Sequence, residues 1–138
     1  MLVHFPIALL SVSVVFDAVA AKWPEKQFRS AGWYTLVLGF GGALLSVVTG
    51  SASEEAVERS GVPEVAVEIH ETWALLASGM FAGLLLVRIV EWLGWIRWPR
   101  VITVGFGVLA AGVLLVASYY GGDLVYQHGA GVERQPSP

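Results

Sequence analysis

Residues 101–120 read VITVGFGVLAAGVLLVASYY, a run of 20 residues without a charged side chain. A helix needs about 20 apolar residues to cross the hydrocarbon core of a bilayer, which is about 30 Å thick. Three further apolar stretches of similar length lie at residues 2–21, 31–50 and 69–93. The sequence therefore predicts an all-α membrane protein with four transmembrane helices.

The overall composition agrees with this class of protein. Of the 138 residues, 56% are hydrophobic and 14% are charged, whereas soluble domains average about half apolar and about a quarter charged residues. The segments that join the spans are short, so residues 1–138 are predicted to form one domain. The lack of cysteine excludes disulfides and thiolate metal sites, and the net charge of -3 argues against a nucleic-acid partner.

The positive charges predict how the helices are oriented. Six of the eight Lys and Arg residues lie in or beside the loops after the first and third spans, namely Lys22, Lys26, Arg29, Arg88, Arg97 and Arg100. By the positive-inside rule these two loops face the cytoplasm, which places both termini on the extracytoplasmic side. We therefore expect an up-down-up-down bundle in the bacterial inner membrane. The first span is expected to be retained, because it lacks the basic leader and the cleavage site of a signal peptide.

Two patterns predict how the bundle is held together. Asp17 and Arg88 lie at comparable depth in the first and third spans, and charges within a membrane normally find a partner, so we expect an ion pair between them. Small residues recur at a spacing that lets helix backbones approach closely. These residues are Gly42, Ser46 and Gly50 in the second span, Gly79 and Gly83 in the third, and Gly107 and Ala111 in the fourth.

The longest connection is predicted at residues 51–68. Residues 53–59 are polar enough to form a short interfacial helix, which Gly61 and Pro63 would end. The Gly121-Gly122 pair is interpreted as the end of the fourth helix rather than as a nucleotide cradle. No serine or threonine has a histidine and an acid at a recognisable motif spacing, so a stand-alone catalyst is not expected.

The three histidines of the chain, His4, His70 and His128, all fall at the extracytoplasmic ends of the predicted spans. The first and third helices of such a bundle are usually diagonal, so His4 and His70 could reach across the centre to a haem. Alternatively, all three with Glu71 or Asp123 nearby would suit zinc, copper or non-haem iron. A third interpretation binds no cofactor, because histidines near a headgroup boundary often only form interfacial hydrogen bonds. The spacing does not choose among these.

Three motifs carry a resemblance to a known family. They are LVHFPIALL at residues 2–10, His70 at the head of the third span, and GGDLVYQHGAGV at residues 121–132. Together they resemble the bacterial membrane family called domain of unknown function 2231, over essentially the whole chain. The resemblance implies a four-helix membrane protein. Similar domains are fused to, or encoded near, cytochrome and iron-sulfur modules, which favours redox work, although the family implies no settled activity.

The resemblance also implies roles for single residues. His4 and His70 are the expected axial ligands of a b-type haem, and His128 is a spare ligand or orients a propionate. Asp123 and Tyr126 are their neighbours, and Asp123 would accept the second N–H of an imidazole. Relatives often carry a His-Pro pair one turn before the counterpart of His4. This sequence starts after that point, so either its start is truncated or that imidazole is dispensable.

Two functions are therefore predicted from different classes. In the first, the protein is a small electron-transfer subunit whose haem exchanges electrons with a periplasmic carrier or with a quinol at the headgroup level, beside other membrane or periplasmic redox proteins. In the second, it is a cofactor-free accessory subunit that docks onto a larger respiratory or photosynthetic complex. A transporter is less well supported, because the four spans show no inverted repeat with broken helices.

Overall fold

The computed structural model describes residues 3–59 and 61–130, with the side chains of residues 53–59 excepted. This part of the chain contains four helices and no strand. They are α1 (His4–Lys22), α2 (Lys26–Arg59), α3 (Glu64–Trp92) and α4 (Arg100–Tyr126). All four are long and apolar enough to cross a membrane, in α2 over Lys26–Ala52. The prediction of an all-α chain with four membrane spans is confirmed.

Glycine and proline set the helix boundaries. Gly94 follows α3 with a φ of 75°, a left-handed conformation that glycine adopts without strain. The N–H groups of Gly94 and Trp95 donate back to the carbonyls of Glu91 and Val90, which closes the last turn of α3. Pro63 and Pro99 immediately precede α3 and α4, where a fixed φ suits the start of a helix.

Several boundaries differ from the sequence prediction. The prediction that residues 51–68 form the longest connection is wrong, because α2 continues to Arg59 and α3 begins at Glu64, and the segment 93–99 between α3 and α4 is longer. Residues 53–59 are helical as expected, but they continue α2 instead of forming a separate interfacial helix. The segment SASEEAVE contains neither Gly nor Pro to interrupt the helix, which explains its continuation. The predicted end of α4 at Gly121-Gly122 is wrong, since α4 continues to Tyr126.

Each helix packs mainly on its two neighbours in the bundle. α1 contacts α2 and α4, and α3 contacts the same two helices, so that α1 and α3 lie at opposite corners. A Cβ added at Gly42 would lie 3.2 Å from Pro6, and one added at Gly39 would lie 3.0 Å from Leu10. These contacts run in opposite directions along α1 and α2, so this pair is antiparallel. Contacts of Gly83 with Phe106 and of His70 with Gly121 give the same relation for α3 and α4.

The buried core is small and lies at the centre of the bundle. It consists of Leu10, Val14, Leu36, Phe81, Leu84 and Ala110. Many other large apolar side chains face outward, with Leu45 and Val48 more than 60% exposed. Soluble proteins rarely expose so much contiguous apolar surface, so this outer surface is suited to contact with lipid.

The small residues singled out in the sequence only partly form helix contacts. Gly42, Gly83 and Gly107 lie against neighbouring helices, whereas a Cβ added at Gly50 or Gly79 would meet nothing within 4 Å. The closest approach of α1 to α2 instead involves Gly32 and Gly39, which the spacing argument did not select. The repeat of small residues therefore predicted helix faces on which close packing is possible, but not which of these faces contact another helix.

Candidate functional site

His70 lies in the second turn of α3, and its imidazole is held against α4. Its Nδ1 atom is 3.1 Å from the carbonyl oxygen of Ala117. A carbonyl oxygen can only accept a hydrogen bond, so Nδ1 must carry the proton and donate it. In the neutral ring Nε2 is then unprotonated, and its lone pair is free to bind a metal or to accept a hydrogen bond.

The His70 ring rests on α4 at Gly121, where a larger side chain would press against the ring. A Cβ added at Gly121 would lie 2.9 Å from Cε1 and 3.3 Å from Nδ1 of the ring. Gly121 follows Ala117 by one helical turn, so both residues lie on the face of α4 that contacts α3. We call this pair of small residues the histidine slot. It explains why a glycine occurs inside α4 in spite of its cost to helix stability, about 1 kcal/mol relative to alanine.

Aromatic side chains lie beside the histidine slot. Trp73, three residues after His70, stacks on Tyr120 of α4 with the ring centroids 6.5 Å apart. Tyr120 in turn makes an edge contact with Tyr119. Such pairs stabilise a helix contact beyond the area that they bury, so they fix α3 against α4 next to His70.

His128 lies just after the last residue of α4, before Gly129 with its φ of 69°. Its Nδ1 atom is 3.4 Å from the carbonyl oxygen of Asp123 and 3.8 Å from the carboxylate oxygen Oδ2 of the same residue. The first distance is long for a hydrogen bond and the second exceeds one. Asp123 is therefore the nearest acceptor for His128, while Tyr126 is 91% exposed in the last turn of α4.

His4, the first residue of α1, is exposed, and its ring makes no hydrogen bond with the residues that the structure describes. Its height in the bundle follows from the contact between Val14 and Gly107. Ten residues back from Val14 lies His4, and ten residues on from Gly107 lies Ala117. Arg100 at the start of α4 donates to the carbonyl of Ala20 near the end of α1, so α1 and α4 are antiparallel. Both steps therefore run in the same direction and cover about 15 Å. His4 and His70 thus lie at the same end of the bundle, on helices at opposite corners.

Among the side chains that the structure describes, those of residues 3–52 and 61–130, no three His, Asp or Glu residues come close enough together to hold a metal ion. His4, His70 and His128 therefore do not form a three-ligand centre in this arrangement, and the zinc, copper or iron alternative gains no geometric support. Haem coordination needs only two axial ligands, so this result does not bear on it.

At the other end of the bundle, Arg88 of α3 donates a hydrogen bond from Nη2 to Oδ1 of Asp17 in α1. The two side chains are 15% and 5% exposed, so the pair is largely buried and joins the diagonal helices. Eighteen residues, five helical turns, separate Arg88 from His70, so both lie on one face of α3. The sequence thus indicated which face of α3 points inward. It did not indicate that the Ala117 carbonyl accepts the hydrogen bond from His70.

Four long apolar helices with a buried ion pair define a multi-pass membrane protein. The family model described as "Predicted membrane protein (DUF2231)" matches residues 1–134. The chain belongs to this family, which confirms the resemblance seen in the sequence. Comparisons with curated proteins and with solved structures gave no match.

Proposed function

We propose that the protein is a small subunit of the bacterial inner membrane that binds a b-type haem and takes part in electron transfer. In this proposal the bundle is up-down-up-down with both termini on the extracytoplasmic side, where the haem would meet a membrane or periplasmic redox partner. His70 and His4 would hold the haem iron. The observation that supports the proposal best is the hydrogen bond from His70 Nδ1 to the Ala117 carbonyl, which leaves Nε2 unprotonated.

The surroundings of His70 have the chemistry that an axial ligand needs. Metal-binding histidines usually donate their second ring N–H to a carbonyl or carboxylate, which fixes the tautomer and the ring orientation. The Ala117 carbonyl supplies that acceptor, and Gly121 leaves room for the ring. A bound haem would supply one-electron redox chemistry. The protein's own part is to present Nε2 in a fixed direction.

The positions of His4 and His128 support the roles proposed for them. His4 lies at the height of His70 on the diagonal helix and is exposed, so its ring is accessible to a ligand. His128 is half-buried beside Asp123 and is assigned to a haem propionate rather than to iron. Asp123 would then support the imidazole of His128, as its carbonyl and carboxylate oxygens both lie within 4 Å of Nδ1.

A second candidate function is a cofactor-free accessory subunit of a larger respiratory or photosynthetic complex. This function is favoured by several glycines that contact no neighbouring helix. A Cβ added at Gly79, Gly105 or Gly112 would meet nothing within 4 Å. Small residues on outward faces of α3 and α4 would let helices of another subunit approach closely.

Optical spectroscopy with elemental analysis distinguishes the two functions. The protein is purified in mild detergent from a haem-replete host, and spectra are recorded before and after reduction. The haem proposal predicts a Soret band, split visible bands on reduction, and iron in the preparation. His70→Ala should lose most of this absorbance, whereas His128→Ala should retain it. A stable, colourless wild-type protein without bound iron, zinc or copper would leave the accessory function.

A further inference from the structure

A polar cleft lies at the end of the bundle opposite the histidines, where α1 and α3 end and α2 and α4 begin. Its volume is about 390 Å³, within the lower range of ligand pockets. The charged and hydroxyl groups that line it come from all four helices, and we call it the arginine cleft. These residues are Asp17, Arg29, Ser30, Tyr34, Arg88, Glu91, Arg100 and Thr103.

The charges of the arginine cleft do not cancel. Three guanidinium groups face two carboxylates, a net charge of +1. Arg88 forms an ion pair with Asp17, and one Nη atom of Arg100 donates a hydrogen bond to the carbonyl oxygen of Ala20 at 2.8 Å. The Arg29 guanidinium makes no hydrogen bond or ion pair with the residues that the structure describes. Arg29 and the remaining N–H groups of Arg100 are therefore available to an anion.

Thr103 of α4 also lines the arginine cleft. Its hydroxyl Oγ1 is buried and has no hydrogen-bond partner within the described part of the chain. Other hydroxyl groups in the helices, such as those of Thr35, Ser46 and Ser118, donate to a backbone carbonyl of the preceding turn. A buried polar group without a partner costs about 1–3 kcal/mol, so a ligand that accepts from Thr103 would remove this penalty.

The start of α4 adds to the attraction for an anion. Arg100 is the first residue of α4, and no side chain caps this end of the helix. Unpaired N–H groups and the helix dipole favour a negative charge there. Guanidinium groups in turn match the geometry of phosphate oxygens, with two parallel hydrogen bonds from one fork.

The aromatic lining indicates where the anion comes from. Trp33, Tyr34 and Trp92 also line the arginine cleft, and Trp92 is 80% exposed. Tryptophan and tyrosine concentrate at the level of the lipid headgroups, and basic pockets between membrane helices bind phosphate-bearing headgroups. We propose that the arginine cleft binds the phosphodiester group of an anionic phospholipid, held by Arg29, Arg100 and Thr103. This site is independent of the proposed haem.

Native mass spectrometry of the full-length protein in detergent tests this site. The protein is titrated separately with phosphatidylglycerol, with phosphatidylcholine and with sodium phosphate. We expect one phosphatidylglycerol to be retained per chain. Phosphatidylcholine should bind at least about tenfold more weakly, because its choline cation makes it net neutral and would lie beside a cleft of net positive charge. Sodium phosphate alone should not saturate the site at the same concentrations.

Three variants test the assigned residues. Arg29→Gln should weaken phosphatidylglycerol binding about tenfold, and Thr103→Val about fivefold, from the loss of one charge-assisted or one neutral hydrogen bond. Lys26→Gln removes an exposed charge at the same end of the bundle, outside the cleft, and should change binding less than twofold. Thr103→Val should also raise the unfolding temperature of the lipid-free protein, because it removes an unpaired buried hydroxyl; this shows that the variant is folded.

Several results would overturn the proposal. Equal binding of phosphatidylglycerol and phosphatidylcholine would mean that the cleft does not select an anion. Saturation by sodium phosphate would assign the site to a free anion instead of a lipid. Equal losses in Arg29→Gln and Lys26→Gln would reduce the effect to general surface charge, and unchanged binding in Thr103→Val would remove Thr103 from the site.

Discussion

The histidine slot makes a quantitative prediction for Gly121→Ala. The added Cβ would lie 2.9 Å from Cε1 of His70, whereas ordinary contact begins at 3.4 Å. The ring must therefore move by about 0.5 Å, away from an Ala117 carbonyl that now lies 3.1 Å from Nδ1. We expect the hydrogen bond to be weakened or lost, at a cost of about 0.5–1.5 kcal/mol.

A helix-propensity gain opposes this cost. Replacing glycine by alanine within a helix contributes about 1 kcal/mol, so Gly121→Ala should change the free energy of unfolding little or unfavourably. Gly122→Ala is the matched control, because its Cβ would meet nothing within 4 Å. It should keep the full gain. The two variants are compared by unfolding in mixed detergent micelles, followed by circular dichroism.

The difference between these variants is the decisive quantity. We expect Gly122→Ala to be more stable than Gly121→Ala by about 1 kcal/mol, with haem content reduced only in Gly121→Ala. Equal stabilisation of both variants would mean that the His70 ring does not rest on Gly121.

Two further predictions concern how the bundle is held together. Asp17→Asn should destabilise the bundle by about 3–5 kcal/mol in the same unfolding assay, because it leaves the Arg88 charge buried without a partner. The double variant Asp17→Leu with Arg88→Met should recover most of this loss, and a failure to recover would show that the ion pair itself is indispensable. Gly39→Ala should cost about 1–3 kcal/mol, since its Cβ would lie 3.0 Å from both the side chain and the backbone nitrogen of the buried Leu10. Gly41→Ala, whose Cβ meets nothing within 4 Å, is the control; an equal loss there would contradict the assigned contact between α1 and α2.

The membrane helices could be predicted from the sequence because span length and apolarity are local properties. Residues 101–120 identify α4 without reference to any other part of the chain. A helix end is harder to predict where a glycine weakens the helix locally but makes a stabilising contact with a residue distant in sequence. Gly121 and Gly122 resemble a helix end when read locally, but α4 continues through them to Tyr126, with His70 of α3 packed on Gly121.

The candidate site, like the fold, could be predicted only in part from the sequence. The common height of His4 and His70 follows from the order of the spans, and the inward face of α3 follows from the spacing of His70 and Arg88. The acceptor for His70 is a backbone carbonyl, which every residue carries, so no side-chain pattern could identify Ala117. A pair of small residues one turn apart, facing a histidine, is the signal that could have suggested it.

Titration of the purified, cofactor-free protein with hemin measures whether His70 binds haem iron. We expect a saturable shift of the Soret band at one haem per chain, lost in His70→Ala and retained in His128→Ala. A wild-type protein that gives no saturable shift, or a His70→Ala variant that binds hemin equally well, would contradict the assignment of His70 as an axial ligand.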